Sequence, residues 1–181
     1  MRVIAGSRKG LKLQAPKGDN TRPTEDRIKE NIFNLCGQEF YDTTVLDLFS
    51  GTGGIGIEFL SRGAKKVYFV DVSRESIDTI KENINKAHFN DEAVILKMNA
   101  KSALKKLCDV KFDYIYLDPP YKNKDLYISS IESILEYNML SDNGYIVIEQ
   151  VKDINVDFSK YLNNVKFKNY GSKSIGIWEK K

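Results

Sequence analysis

Thr44-Val45-Leu46-Asp47-Leu48-Phe49-Ser50-Gly51-Thr52-Gly53-Gly54-Ile55-Gly56 is the stretch on which the fold turns. Thr44–Leu48 is a short apolar strand, glycines follow it at once, and Ile55–Arg62 then takes helical spacing and stops at Gly63. A strand that passes through a Gly-rich turn into a helix offers backbone N–H groups at a helix N-terminus to a ligand. Working outward, Lys66–Val70 reads as a strand and Arg74–His88 as a helix with Ile77, Ile80 and Ile84 on one side. Ala93–Leu96 is a strand, Ala100–Leu107 a helix, Phe112–Leu117 a strand, Asp125–Tyr137 a helix and Gly144–Glu149 a strand. Residues 164–169 and 173–179 read as two more strands meeting at Tyr170-Gly171, hence an antiparallel hairpin. Strands alternating with helices predict a parallel sheet covered on both faces. The expected class is α/β and Rossmann-like, with a seven-stranded, mostly parallel sheet closed by the hairpin.

Ahead of this unit lies a short extension. Val3-Ile4-Ala5 and Leu11-Lys12-Leu13 predict a small hairpin around glycines, and Thr24, followed by Glu25 and Asp26, reads as the cap of a helix ending near Gly37. On that helix Ile28, Ile32, Phe33 and Leu35 share one face. The division is therefore an extension over 1–23 and a catalytic domain over 24–181. The formal charge of +3 over 181 residues hides its distribution: residues 1–24 carry +5, residues 25–159 carry −7 and residues 160–181 carry +5. Basic ends around an acidic middle point to an anionic partner such as nucleic acid. No apolar run is long enough to span a bilayer. The first residues lack the apolar core of a secretory signal. Cys36 and Cys108 form no CxxC pair, and the one histidine, His88, speaks against a metal site. A cytoplasmic location is expected.

In open α/β sheets ligands bind beyond the carboxyl ends of the strands, so the strand ends are where chemistry is sought. Gly51-Thr52-Gly53-Gly54-Ile55-Gly56 matches G-x-G-x-x-G, and Asp71 closes the next strand twenty residues after Gly51. That combination fits a dinucleotide such as NAD. Asp47, inside the end of the first strand, favours S-adenosylmethionine instead, because a carboxylate repels a pyrophosphate and attracts an amino acid's ammonium. Phe49, Ser50, Thr52 and Val72 flank the same corner, and Asp71 suits the two ribose hydroxyls. Asn99 and Ala100, after the third strand, are placed for an adenine edge, with Asn99 equally readable as a helix N-cap.

Asp118-Pro119-Pro120-Tyr121, after the fourth strand, carries the most specific chemistry in the chain. An exocyclic amine on a nucleobase is a poor nucleophile because its lone pair is delocalised into the ring. A carboxylate accepting one N–H and a backbone carbonyl accepting the other favour a tetrahedral nitrogen. Asp118 and the Pro119 carbonyl suit these roles, Pro120 stiffens the turn, and Tyr121 offers a face for stacking on the base.

Taken together the chain resembles the RsmD family of bacterial 16S ribosomal RNA (guanine-N2)-methyltransferases. Four segments carry the resemblance: Arg2–Gly6 with Lys9–Leu13, Arg22–Glu30, Asp47–Gly53, and Asp118–Tyr121. It implies a class I S-adenosylmethionine-dependent fold with Asp118–Tyr121 at the target amine and Asp47, Gly51, Gly53 and Asp71 around the cofactor. It also implies that the N-terminal hairpin and Arg22-Pro23-Thr24 lie near the target base. Arg8, Lys9, Lys12, Arg22, Thr24 and Arg27 are the candidate RNA contacts. The expected partner is 16S ribosomal RNA, in a partly or fully assembled small subunit. Alternatives are a DNA adenine N6 methyltransferase, which shares D-P-P-Y, a protein glutamine methyltransferase, an NAD-dependent oxidoreductase and a non-catalytic RNA-binding protein.

Overall fold

Five parallel strands and a returning hairpin share one sheet in the order β3-β2-β1-β4-β5-β7-β6. The strands are β1 (Thr44–Asp47), β2 (Lys66–Asp71), β3 (Ala93–Lys97), β4 (Phe112–Leu117), β5 (Leu140–Val151), β6 (Leu162–Tyr170) and β7 (Lys173–Lys180). The structure is a computed structural model and describes residues 1–15, 23–120, 123–152 and 156–181. Helices α1 (Pro23–Cys36), α2 (Gly54–Ser61), α3 (Arg74–Ala87), α4 (Ala100–Lys106) and α5 (Lys124–Glu136) complete it. β3, β2, β1, β4 and β5 pair in parallel, whereas β7 is antiparallel to both β5 and β6. The parallel pairs need helical crossovers. The β6–β7 pair needs only a tight turn, which Gly171 permits at φ 58°. This is the Rossmann-like arrangement expected from the alternating pattern, and the class I form that the family resemblance implies.

The chain steps outward from β1 to β3 and then returns to β4 on the other side of β1. The strand order therefore reverses between β1 and β4, which opens a crevice at their carboxyl ends. Strand alternation divides the core between the two faces. Val45, Val67, Phe69, Tyr116, Val147, Ile175 and Ile177 pack with Ile32 and Phe33 of α1, Ile57 of α2 and Ile80 of α3. Leu46, Val70, Ile115, Leu117, Ile146 and Ile148 pack on the other face with Leu104 of α4 and Ile131 of α5. Each such fully buried aliphatic or aromatic side chain contributes roughly 1.5–3 kcal/mol.

The N-terminal segment is bound to this body. Val3 N–H donates to Leu11 O at 2.9 Å, Gly10 N–H to Val3 O at 2.9 Å and Leu13 N–H to Met1 O at 3.0 Å, around a 3₁₀ turn at Gly6–Arg8. The expected hairpin is thus present, reduced to one antiparallel bridge between Arg2 and Lys12. Buried Glu58 of α2 accepts the N–H groups of Ile4 (2.8 Å) and Ala5 (2.9 Å). The same carboxylate takes Arg62 Nε at 2.9 Å and lies 3.5 Å from Lys29 Nζ, so two buried cations share it. Burial lowers the Lys29 pKa, against the attraction of Glu58 and Asp26. Gly6, at φ 80°, lies so close to α2 that an added Cβ would stand 1.8 Å from Ser61 O.

Most boundaries fall within one or two residues of expectation, and two differences have a structural reason. α1 begins at Pro23, so Thr24 lies inside the helix and does not cap it. Proline suits a first helical position because its missing N–H has no partner there anyway. β5 begins at Leu140, four residues before Gly144, because a shift of register between Phe112 and Tyr114 lets Leu140 pair with Phe112. Among the described residues no helix is long and apolar enough to cross a membrane.

Candidate active site

A cavity of about 230 Å³ opens beyond the carboxyl ends of β1, β4 and β5. Its floor is Asp47, the loop residues Phe49, Ser50, Gly51 and Thr52, and Gly54 and Ile55 of α2. One wall is Tyr116, Asp118, Glu149 and Lys173; the other is Ile28, Lys29 and Ile32 of α1, with Met1 alongside. The strand ends explain this gathering. Asp47 pairs with Tyr116 across β1 and β4, and Glu149 lies one step beyond the Leu117–Ile148 pair across β4 and β5. Side chains alternate along a strand, so Asp47, Tyr116 and Glu149 all point to the α1 face.

The glycine loop is rigidly held. Ser50 Oγ donates to Asp47 O at 2.7 Å and accepts Val70 N–H at 2.9 Å, while Gly53 N–H donates to Ser50 O at 2.7 Å. Gly51 and Gly53 have φ of 54° and 77°, conformations that favour glycine. Gly56 packs so tightly on Phe69 that a Cβ would come within 2.2 Å of its ring.

Asp47 is 1% exposed. Its Oδ2 accepts Gly56 N–H at 3.2 Å, but Oδ1 is buried with no partner. Burial pushes its pKa up to about 7; the Gly56 bond opposes this and the charge of Asp71 adds to it. A buried carboxylate oxygen without a donor costs free energy unless something cationic arrives. Asp71 is differently placed. It accepts Gly51 N–H at 2.9 Å on one oxygen and Ser73 N–H at 2.8 Å on the other. Val72 beside it is 69% exposed. Asn99 Oδ1 accepts Ser102 N–H at 2.8 Å and so caps α4, whose first residue is Ala100. Asp71, Val72, Asn99 and Ala100 stand along the β2 and β3 ends, outside the cavity lining proper.

Asp118 follows β4 directly, with Pro119 buried and Pro120 exposed behind it. Burial pushes its carboxyl up to about 7, the charges of Glu149 and Asp47 push the same way, and Lys173 pulls it down. Glu149 is 3% exposed. It accepts the Tyr116 hydroxyl at 2.6 Å and is ion-paired to Lys173, and its backbone carbonyl accepts the Tyr127 hydroxyl at 2.8 Å. Burial, then Glu149 and Asp118, raises the Tyr116 hydroxyl well above its ordinary pKa. Tyr121 lies outside the described residues. Glu149, Tyr116, Lys173, Lys29 and Met1 are not among the site residues expected from the sequence. Glu149 had a usable signal, an acid closing an otherwise apolar strand, the same one that marks Asp47 and Asp71.

The basic candidates part company. Lys9 and Arg27 are exposed and line a surface groove of about 430 Å³ with Arg2, Asp26 and Glu30. Lys12 is exposed nearby, its carbonyl taken by Lys86 at 2.7 Å. Arg8 is held within the fold: Nε donates to Ala87 O at 2.7 Å and the guanidinium lies 5.2 Å from the centre of the Phe89 ring. Arg22 and the Thr24 side chain lie outside the described residues.

A family model described as "Conserved hypothetical protein 95" matches residues 1–179. A Bacillus subtilis (strain 168) protein named provisionally as the rRNA methyltransferase YlbH is 39% identical over 184 residues, covering 100% of both chains. The Ribosomal RNA small subunit methyltransferase D of Haemophilus influenzae is 34% identical, covering 84% of this chain and 80% of its own. A solved Escherichia coli structure, provisionally named methyltransferase yhhF, superposes with a TM-score of 0.87 at 22% identity, covering 100% of this chain and 98% of that one. At that identity the superposition speaks for the fold.

Proposed function

Because the chain belongs to the family described as conserved hypothetical protein 95, the RsmD family, we propose that it is an S-adenosylmethionine-dependent methyltransferase of the guanine N2 amine in small-subunit ribosomal RNA. The observation that carries this reading is the single cavity holding both Asp47, with its orphaned Oδ1, and Asp118. The donor set fits the cofactor: the ammonium of a methionine moiety is the partner that Oδ1 lacks. The N-terminus of α2 supplies backbone N–H groups, Gly51 lets the loop approach the ligand closely, and Asp71 suits a ribose, with Val72 and Asn99 toward the adenine.

S-adenosylmethionine would supply an electrophilic methyl group, the sulfur–methyl bond breaking as the nitrogen–carbon bond forms and S-adenosylhomocysteine leaving. The protein supplies the nucleophile's geometry. The Asp118 carboxylate accepts one N–H of the target amine and the Pro119 carbonyl accepts the other, which localises the nitrogen lone pair toward the methyl group. Tyr121 stacks on the base. Once methylated, the nitrogen is acidic, and the Asp118 carboxylate takes its proton and returns it to solvent. A base inside a helix cannot reach this cavity, so it must leave its stack. Lys9, Lys12 and Arg27, on and beside the N-terminal hairpin, hold the phosphate backbone while it does so. In this reading residues 1–23 are an RNA-facing extension, Arg22 and Thr24 lie near the base, and Arg8 acts by fixing the extension to α3. Part of the specificity then comes from RNA shape or from the assembling subunit.

The test is methyl transfer from labelled cofactor to naked 16S RNA, to small-subunit particles and to DNA, followed by nucleoside mass spectrometry. N2-methylguanosine, formed faster on particles, is expected. N6-methyladenine in DNA, or no labelled nucleoside, would overturn the reading.

A further inference from the structure

Three carboxyl groups, Asp47, Asp118 and Glu149, face one cavity; of the two ammonium groups in its lining Lys29 is held by Glu58, which leaves Lys173 as the one set beside the three acids. That is an expensive arrangement unless the cation governs the charge of its neighbours. Its construction follows from the hairpin. β7 runs antiparallel to β5, so Glu149 pairs with Ile175 and Val151 with Lys173. Alternation then puts Lys173 on the same face as Glu149, one diagonal step away. Glu149 is buried and anchored by the Tyr116 hydroxyl at 2.6 Å, and it holds the Lys173 ammonium. Among the described residues, the other charged or titratable groups around Asp118 are Asp47 of β1, Tyr116 of β4, Tyr127 of α5 and Lys29 of α1. Tyr127 donates to Glu149 O, and Lys29 is turned to Arg2 O and Glu58.

We propose that Lys173, clamped by Glu149 against Tyr116, is a positioning residue for methyl transfer, the counter-charge that lets Asp118 face the target amine as a carboxylate. This rests on the function proposed above. A protonated Asp118 would present an O–H to the amine and compete for its lone pair, so transfer needs the ionised form. Burial and the neighbouring acids push Asp118 toward protonation, and Lys173 opposes them. The basic C-terminal hairpin thereby acquires a role at the reacting end of the sheet that does not depend on touching RNA.

The experiment uses the full chain with ¹³C-carboxyl-labelled aspartate, the Asp118 signal being assigned with Asp118→Asn. Its NMR titration midpoint and the pH profile of kcat at saturating substrates are compared in wild type, Lys173→Met, Lys173→Gln and Lys173→Arg. Lys173→Met is expected to raise the midpoint and the acidic limb of kcat together by about one pH unit. The rate would then fall about tenfold at pH 6 and recover toward pH 9. Lys173→Gln keeps a donor for Glu149 but not the charge and should rise equally, whereas Lys173→Arg should titrate as wild type does. An unmoved midpoint, or a loss of rate by the same factor at every pH, would overturn the proposal. Wild-type protein inactive on RNA would sink the functional reading, while the NMR midpoints would still decide the role of Lys173.

Discussion

Replacing Asp47 by Asn should make the ligand-free protein more stable and the cofactor-bound protein scarcely more stable than the free one. The buried carboxyl has a pKa near 7 against an ordinary 3.8, chiefly from burial. A raised carboxyl pKa means that the folded state prefers the protonated form. Stability associated with that form is therefore present below the unfolded value and is lost as pH rises from 3.8 through about 7. The loss is at most about 4 kcal/mol above neutrality. Asparagine keeps an acceptor for Gly56 N–H and avoids the buried charge. Allowing for relaxation, a gain of about 2 kcal/mol is the working figure, or roughly 4–8 °C in melting temperature for a chain of this length. The gain should vanish below the unfolded carboxyl range and reach a plateau above neutrality. S-adenosylhomocysteine at a hundred times its Kd stabilises wild type by about 2.7 kcal/mol. Loss of the partner for its ammonium, about 2 kcal/mol or more, should remove most of that. Melting curves from pH 4 to 9 with and without S-adenosylhomocysteine provide the assay. A variant that melts below wild type at pH 8, or that keeps the full ligand shift, would refute the reasoning.

Other substitutions probe the remaining joints. Asp118→Asn should cut kcat by about 10²–10³ while leaving S-adenosylhomocysteine affinity intact by calorimetry, the scale of losing one positioned polar group. In wild type, kcat should drop about tenfold per pH unit once Asp118, with its pKa near 7, protonates. Gly6→Ala puts a Cβ 1.8 Å from Ser61 O at φ 80°, so a loss of at least about 2 kcal/mol in urea unfolding is expected. Glu58→Ala leaves Lys29 and Arg62 buried without their shared carboxylate and should cost about 3–5 kcal/mol; a loss under 1 kcal/mol would show that water replaces the carboxylate.

How far the sequence disclosed all this depends on the length scale of each signal. The succession of strands and helices and the two helix layers were legible because alternating apolar strands and amphipathic helices are local patterns, and the hairpin at Tyr170-Gly171 carries its own turn residue. Asp47 and Asp71 could be singled out as the last residues of β1 and β2, Asp118 as the residue after β4 and Gly51 as part of the turn after β1, in a fold whose crevice lies at strand ends. Lys173 was not, because its place beside Glu149 depends on the antiparallel register of β7 on β5, set by packing far along the chain. Glu58 was hidden for the same reason: nothing in Ile57-Glu58-Phe59 foretells that an acid in the core would receive the backbone of residues 4 and 5. Arg8, a basic residue in a basic segment, reads as a nucleic-acid contact, and no local signal foretells that its Nε donates to Ala87 O and its guanidinium lies over Phe89.

The central claim is that Asp118 presents a guanine N2 amine for methylation in small-subunit ribosomal RNA. It is tested most directly in cells that lack this protein, complemented with either wild type or Asp118→Asn, by mass spectrometry of nucleosides from purified 16S RNA. The account predicts that one N2-methylguanosine disappears on deletion, returns with wild type and stays absent with the variant. An unchanged nucleoside profile on deletion, or full restoration by Asp118→Asn, would contradict it.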